Sequence, residues 1–190
     1  MNDADPPPIL ATPRLTLRRL VEADIGALFG MFSHPEVMRY WSRLAMTDRS
    51  EAVAYLAEID ENLRTRTALQ WGVARREDDV VVGMCTQFRH NSQCRRAEIG
   101  YALAREHWGH GYMHEALSAV VEHAFGALAL RRLEADVDPR NAASVRTLER
   151  LGFRQEGLLR ERWIVADEVS DTAFFGLLAS DWRAVHASAG

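Results

Sequence analysis

Between Arg96 and Val137 the hydrophobic period changes twice, and this change limits the folds open to the chain more than any other feature. Arg96 to Leu103 alternates in the manner of a strand. A turn containing Gly109 and Gly111 follows, and the run from His110 to Leu128 puts Leu117, Val120, Val121, Ala124, Phe125 and Leu128 on one helical face. Leu133 to Val137 is strand-like again. Two strands joined through a helix lie parallel if they share a sheet. Upstream, Gln70 to Arg75 and Val80 to Arg89 flank the acidic turn Glu77-Asp78-Asp79, and with Arg96 to Leu103 they read as an antiparallel meander.

The rest of the chain fits around that centre. Residues 1–13, with Pro6, Pro7, Pro8 and Pro13, predict an extended arm, since proline lacks an amide donor and holds the backbone near polyproline geometry. Leu15, Leu17 and Leu20 form a strand pattern, and Asp24 can cap a helix through Ile25, Leu28, Phe29 and Phe32 that His34-Pro35 ends. Asp48 or Thr47 can start a second helix through Ala52, Val53, Leu56, Ile59 and Leu63. Asn141 to Leu151 reads as a shorter helix stopped by Gly152, and two last strands, Phe153 to Val165 with a break and Val169 to Leu178, close the sheet. The expected fold is therefore a mixed α/β one: a central, mostly antiparallel twisted sheet of about six or seven strands with one parallel β-α-β crossover and flanking helices. A length of 190 residues suits one domain, placed at 14–186, with a flexible tail at 187–190.

Composition narrows the function. With 47% hydrophobic and 26% charged residues the chain is globular in make-up rather than disordered or fibrous. No apolar run is long enough to span a bilayer and Met1 to Pro8 lacks a leader pattern, so a cytoplasmic protein without a membrane partner is expected. Cys85 and Cys94 lack metal or redox spacing and read as reduced thiols; no metal is expected. A formal charge of −4 argues against charge-driven nucleic-acid binding and exerts a mild pull on a cationic acceptor. All 23 basic residues are arginine. A homodimer is left open.

The glycine-spaced turn carries the chemistry. Glycines let a backbone approach a ligand closely, and the first amides of a helix have no intrahelical partners, so Trp108-Gly109-His110-Gly111-Tyr112-Met113-His114 can donate to an anion such as a diphosphate. The spacing is neither that of a dinucleotide fold nor that of a Walker loop. Plain turn glycines remain an alternative.

These residues resemble the acetyl-CoA signature of the GNAT superfamily of acyltransferases, and the resemblance spans most of the chain. Thr12-Pro13-Arg14-Leu15-Thr16-Leu17-Arg18 and His34-Pro35-Glu36-Val37 resemble its RimJ/RimL-like branch, which acetylates protein N-terminal amines. Ala97-Glu98-Ile99-Gly100-Tyr101 followed by Trp108 to Tyr112 is the strongest match, and Asn141-Ala142-Ala143-Ser144-Val145-Arg146 with Leu151-Gly152-Phe153 matches a second block. In the family's phosphate loop, Trp108 here stands where Gln or Arg is usual and Met113 where Gly or Ala is usual.

The resemblance implies acetyl-CoA as co-substrate and direct attack of a primary amine on the thioester, most simply the α-amine of a protein N-terminus. It also implies that backbone from Glu98 through Ile99, Gly100, Tyr101 and Ala102 to Leu103 holds the thioester and pantetheine, and that the amides of His110 to His114 hold the diphosphate. Arg105 could assist. A thioester is already activated, so positioning, oxyanion stabilisation and proton management suffice. Glu98 is the candidate base, against the alternative of an exposed or ion-paired strand residue; His110 and His114 are weaker candidates, since a helix start disfavours imidazolium. By the same resemblance Ser144 would protonate the departing thiolate. Asn141 would bond the pantetheine, cap its helix, or both. Tyr101, Tyr112 and the pair Tyr40-Trp41 could wall the acceptor site, where loops around Tyr40 and Arg160 to Asp167 would choose the acceptor; core packing is the commoner fate of aromatics. Trp163 reads only as a packing residue. Two other readings stay open: acetylation of a small amine such as an aminoglycoside, polyamine or amino acid, or a CoA-binding regulatory module without turnover.

Overall fold

The computed structural model describes residues 6–187. Its strands are β1 (Leu10–Ala11), β2 (Leu15–Arg18), β3 (Ala68–Arg75), β4 (Val81–Asn91), β5 (Arg96–Leu103), β6 (Arg132–Val137), β7 (Arg154–Val165) and β8 (Glu168–Leu178). Its helices are α1 (Ile25–Phe32), α2 (Pro35–Met38), α3 (Arg49–Arg64), α4 (Tyr112–Phe125), α5 (Ala142–Arg150) and α6 (Ala179–Ala187). The strands form one sheet in the order β1-β2-β3-β4-β5-β6-β8-β7. Every neighbouring pair is antiparallel except β5 and β6, the pair joined through α4.

Helices cover the sheet unequally. On one face α4 buries Ala116, Leu117, Val120, Val121, Ala124 and Phe125 against Trp71, Val73, Ile99 and Leu133. Each fully buried Leu or Val there contributes about 1.5–3 kcal/mol by leaving water. On the other face α1, α2 and α3 pack Leu28, Phe32, Val37, Tyr55 and Leu56 over Ala74, Met84 and Ala102, which belong to β3, β4 and β5. The second core cluster takes no residue from β6, β7 or β8, so that half of the face lies open.

Several expectations change in detail. The sheet has eight strands because part of the proline arm pairs: Leu10–Ala11 runs beside β2, and the Trp71 indole N–H donates to Pro8 O at 2.8 Å. Asp24 does not cap α1 with its side chain. It is buried and accepts from both Arg18 Nη atoms at 2.8 and 3.0 Å and from Val21 N; a bidentate charged partner outcompetes a single cap amide. α6 was not anticipated from the pattern. Of the tail expected at 187–190, Ala187 ends α6 and the remainder lies outside the described residues. Among the described residues no helix is long and apolar enough to cross a membrane, and no group of His, Cys, Asp and Glu is placed to hold a metal.

Candidate active site

The parallel seam at the centre of the sheet closes for only three pairs, Arg96 with Arg132, Ala97 with Leu133 and Glu98 with Glu134. Beyond them both strands continue, β5 bonded to β4 as far as Leu103 and β6 to β8 as far as Val137, and neither pairs with the other. A gap with backbone on both walls results. Ala104 N donates to Val82 O on the β4 side. Because strand backbone alternates, the polar groups of Ile99, Tyr101 and Leu103 turn the other way, into the gap. The amides of Glu98, Gly100 and Ala102 belong to the β4 ladder, so alternate residues, rather than the whole run, are free to meet a ligand.

At the far end of β5 the chain makes the glycine turn. Gly109 and Gly111 have φ of 81° and 77°, the left-handed region that side chains resist. Gly111 is the N-cap residue of α4 and supplies no side-chain cap, so the first-turn amides of Tyr112, Met113 and His114 are left without one. A Cβ on Gly109 would meet nothing within 4 Å. Trp108 closes the turn back on the strand through its indole N–H, 2.8 Å from Leu103 O. The residues therefore fit a diphosphate followed by an extended, hydrogen-bonding arm.

Met113 does not obstruct that turn. Its side chain is buried, with Sδ 3.7 Å from Cys85 Sγ, so only its amide faces the helix start. The His110 ring stacks on Tyr112 at 5.8 Å. His114 Nδ1 is buried without a hydrogen-bond partner among the described residues; burial first, and then Arg150, pulls its pKa down and keeps the ring neutral. Neither histidine contacts Glu98.

Sequence pattern alone passed over what holds the turn in place. Glu115 accepts from Thr12 Oγ1 at 2.6 Å, from Arg14 N at 2.9 Å and from Arg14 Nε at 2.6 Å, while Arg14 Nη1 donates to His110 O. The Arg14 guanidinium also covers the Tyr112 ring at 4.7 Å. The Thr12-Pro13-Arg14 motif was visible; its partner, a hundred positions away, was not.

Across the gap, Asn141 is the N-cap residue of α5, its Oδ1 accepting from Ser144 N at 3.1 Å, so the capping role is realised. The Tyr101 hydroxyl donates to Ser144 O at 3.3 Å, tying the start of α5 to β5. Burial pushes the Tyr101 pKa up, so the phenol keeps its proton. Tyr101 is thus tied to α5, and Tyr112 opens α4. Trp41 packs edge-on against Phe32 at 5.1 Å, and Tyr40 lies between Arg39 and Arg140, 5.5 and 5.8 Å from its ring. Arg105 pairs with Glu36 and stacks over Trp108.

Glu98 projects onto the face that α1–α3 leave partly open, in register with Glu134. It is buried, and Oε2 accepts from Arg89 Nη1 at 2.9 Å. Burial is the main force raising its pKa; Arg89 opposes it, and Asp136 and Glu134 add to it. Arg89 reaches Glu98 because its φ is 51° at an irregularity between Phe88 and Asn91, which turns the side chain onto Glu98's face. Asp136, two residues beyond Glu134, accepts from Thr172 Oγ1 at 2.6 Å and from the Trp163 indole N–H at 3.1 Å. Trp163 is therefore fixed beside the open face.

Comparisons with known proteins bear on the family and the fold. A family profile described as an acetyltransferase (GNAT) domain matches residues 14–154. The chain is similar to the uncharacterized N-acetyltransferase p20 of Bacillus licheniformis, at 35% identity over 91% of this chain and 97% of that protein. It is 24% identical to the [ribosomal protein uS5]-alanine N-acetyltransferase of Escherichia coli, covering 91% of this chain and 92% of that one. It is also 24% identical to the spermidine N(1)-acetyltransferase of Vibrio cholerae, over 89% and 95% of the two chains. Its fold is shared with Mycobacterium smegmatis RimJ, solved in complex with CoA-disulfide, at a TM-score of 0.82, 22% identity and 95% coverage of both chains.

Proposed function

The chain belongs to the acetyltransferase (GNAT) family as an N-acetyltransferase, and we propose that it moves the acetyl group of acetyl-CoA onto the α-amine of a protein N-terminus. The observation that carries this reading is the half-open β5–β6 seam ending at a helix start without a side-chain cap. Turn and seam each offer backbone donors that no other strand or side-chain cap takes. The first-turn amides of α4 would bind the diphosphate, and the inward amides of Ile99, Tyr101 and Leu103 would hold the pantetheine arm and the thioester oxygen.

Glu98 would take the proton from the attacking ammonium, directly or through water. Its raised pKa makes it a better base than an exposed glutamate, and the Arg89 contact opposes that rise. Gly100, next along that face, leaves space for the amine: a Cβ there would come 3.5 Å from Phe88. Once the carbon–nitrogen bond forms and the carbon–sulfur bond breaks, the thiolate needs a proton, and Ser144 at the start of α5 would supply it. The acceptor assignment draws on the Thr12 to Arg18 motif and on the uS5-alanine relative, while the spermidine relative marks the competing small-amine reading.

A thiol-release assay with N-terminal peptides and small amines tests this. Steady CoA release with peptides whose free amine is intact, abolished when that amine is blocked, is the expected result. Thermal protection by CoA without thiol release from any amine would instead support a binding module.

A further inference from the structure

The open face holds buried acids behind exposed arginines. Glu98 and Asp136 side chains are 8% and 7% exposed, whereas Arg89 and Arg162, their ion-pair partners, are 51% and 42% exposed. Each acid has a partner, although Asp136 Oδ2 is buried without a hydrogen bond among the described residues. Glu98 is bonded by Arg89, and Asp136 spends Oδ1 on Trp163 and Thr172. Asp138, just past β6, accepts from the backbone N, Nε and Nη2 of Arg140. Arg140 in turn pairs with the exposed Glu168, so its donors are spent on acids of the chain itself.

The remaining arginines keep most of their donors. Arg162 lies 3.5 Å from Asp136 through Nε and makes no hydrogen bond among the described residues. Arg89 commits Nη1 alone. Arg39 is exposed, lies over the Tyr40 ring and acts on Asp138 only through its charge. Arg89 is bonded to Glu98 itself, Arg162 pairs with Asp136 further along β6, and Arg39 acts on Asp138 just past it, so the three guanidinium heads follow the β6 side of this face.

Resting on the proposed transferase reading, we infer that the acceptor carries negative charge close to its reactive amine: an N-terminal peptide with acidic residues at its second or third position, not a polyamine. A guanidinium with unspent, forked donors is matched by a carboxylate, while a second ammonium would be repelled at the mouth of the site. The unspent arginine donors at the surface, rather than the net charge of −4, then set the preference for the acceptor.

The test measures kcat/KM by thiol release for peptides that share an N-terminal alanine and continue with Asp-Glu, Gly-Gly or Arg-Arg, with spermidine alongside. At low ionic strength the acidic peptide should exceed the basic one by about tenfold or more, with spermidine poorest, and salt should compress the order. The double variant Arg39→Ala/Arg162→Ala should flatten the ranking, and Arg39→Lys/Arg162→Lys should restore most of it. Preference for spermidine or the basic peptide, or an unchanged ranking in the double alanine variant, would overturn the inference and leave the transferase reading standing. Absence of thiol release with every acceptor would bring down that reading and this one together.

Discussion

Two helix starts in this molecule meet the same physical problem in opposite ways. At α3, Asp48 accepts from Ser50 N while Glu51 Oε1 accepts from Thr47 N and Asp48 N, so the orphan donors are spent within the chain. At α4 the corresponding place is held by Gly111, which has no side chain to offer. The difference shows that an exposed anion site is made by withholding a cap as much as by adding glycines. The acids differ likewise. Hydrogen bonds from amides and hydroxyls hold Asp48 and Glu51 below the usual carboxylate range, whereas burial lifts Glu98 above it. One set is committed to structure, the other is kept ready for a proton.

Giving α4 the cap that α3 has should have the largest effect. Gly111→Asp places a carboxylate where the diphosphate would sit, and Asp tolerates the left-handed backbone better than most residues. Acetyl-CoA affinity by calorimetry should fall by about a hundredfold or more, since a charge-assisted hydrogen bond is replaced by a repulsion between anions. Unchanged affinity would remove the turn from the cofactor site. Next comes Glu98→Gln, for which kcat/KM near neutral pH should drop by about a hundredfold, within the usual range for removal of a general base. The deficit should shrink as pH rises and the free amine becomes abundant. A pH–rate profile parallel to that of the parent enzyme would reject Glu98 as the base.

A smaller effect separates the two kinds of acid. Arg89 holds the Glu98 pKa down against burial, so Arg89→Ala should raise it further. The acid limb of kcat/KM, where Glu98 takes up a proton and activity is lost, should then move to higher pH, and Arg89→Lys should bring it part of the way back. An unmoved limb would mean that Arg89 only covers Glu98. Least of all, Asp48→Ala should lower the melting temperature by about 2–4 °C, the usual consequence of losing a cap in a chain of this size, with acetyl-CoA affinity untouched.

The fold was largely legible where the signal was local. The Asp48 and Asn141 caps, the α4 stripe and the β3–β4–β5 meander each follow from spacing within a dozen residues, and all are present. Pairings made by tertiary charge were not legible. Asp24 looks like a cap until Arg18 takes it, and Glu115 gains its meaning only from Thr12 and Arg14. Arg89 is invisible as a partner of Glu98, because strand alternation would put it on the opposite face and a positive φ reverses that. α6 escaped because its pattern is mixed, with Trp182 buried and Val185 exposed within one turn. The position of Glu98 was readable; its isolation from water, and hence its proton affinity, was not.

The half-open seam has a consequence for ancestry. What meets the ligand there is main chain, present whatever residue is installed, so mutation can rewrite the strand's side chains without erasing the grip. Lineages built on such a seam can drift far apart in spelling while keeping their trade, and new acceptors can be recruited by editing the opposite rim alone.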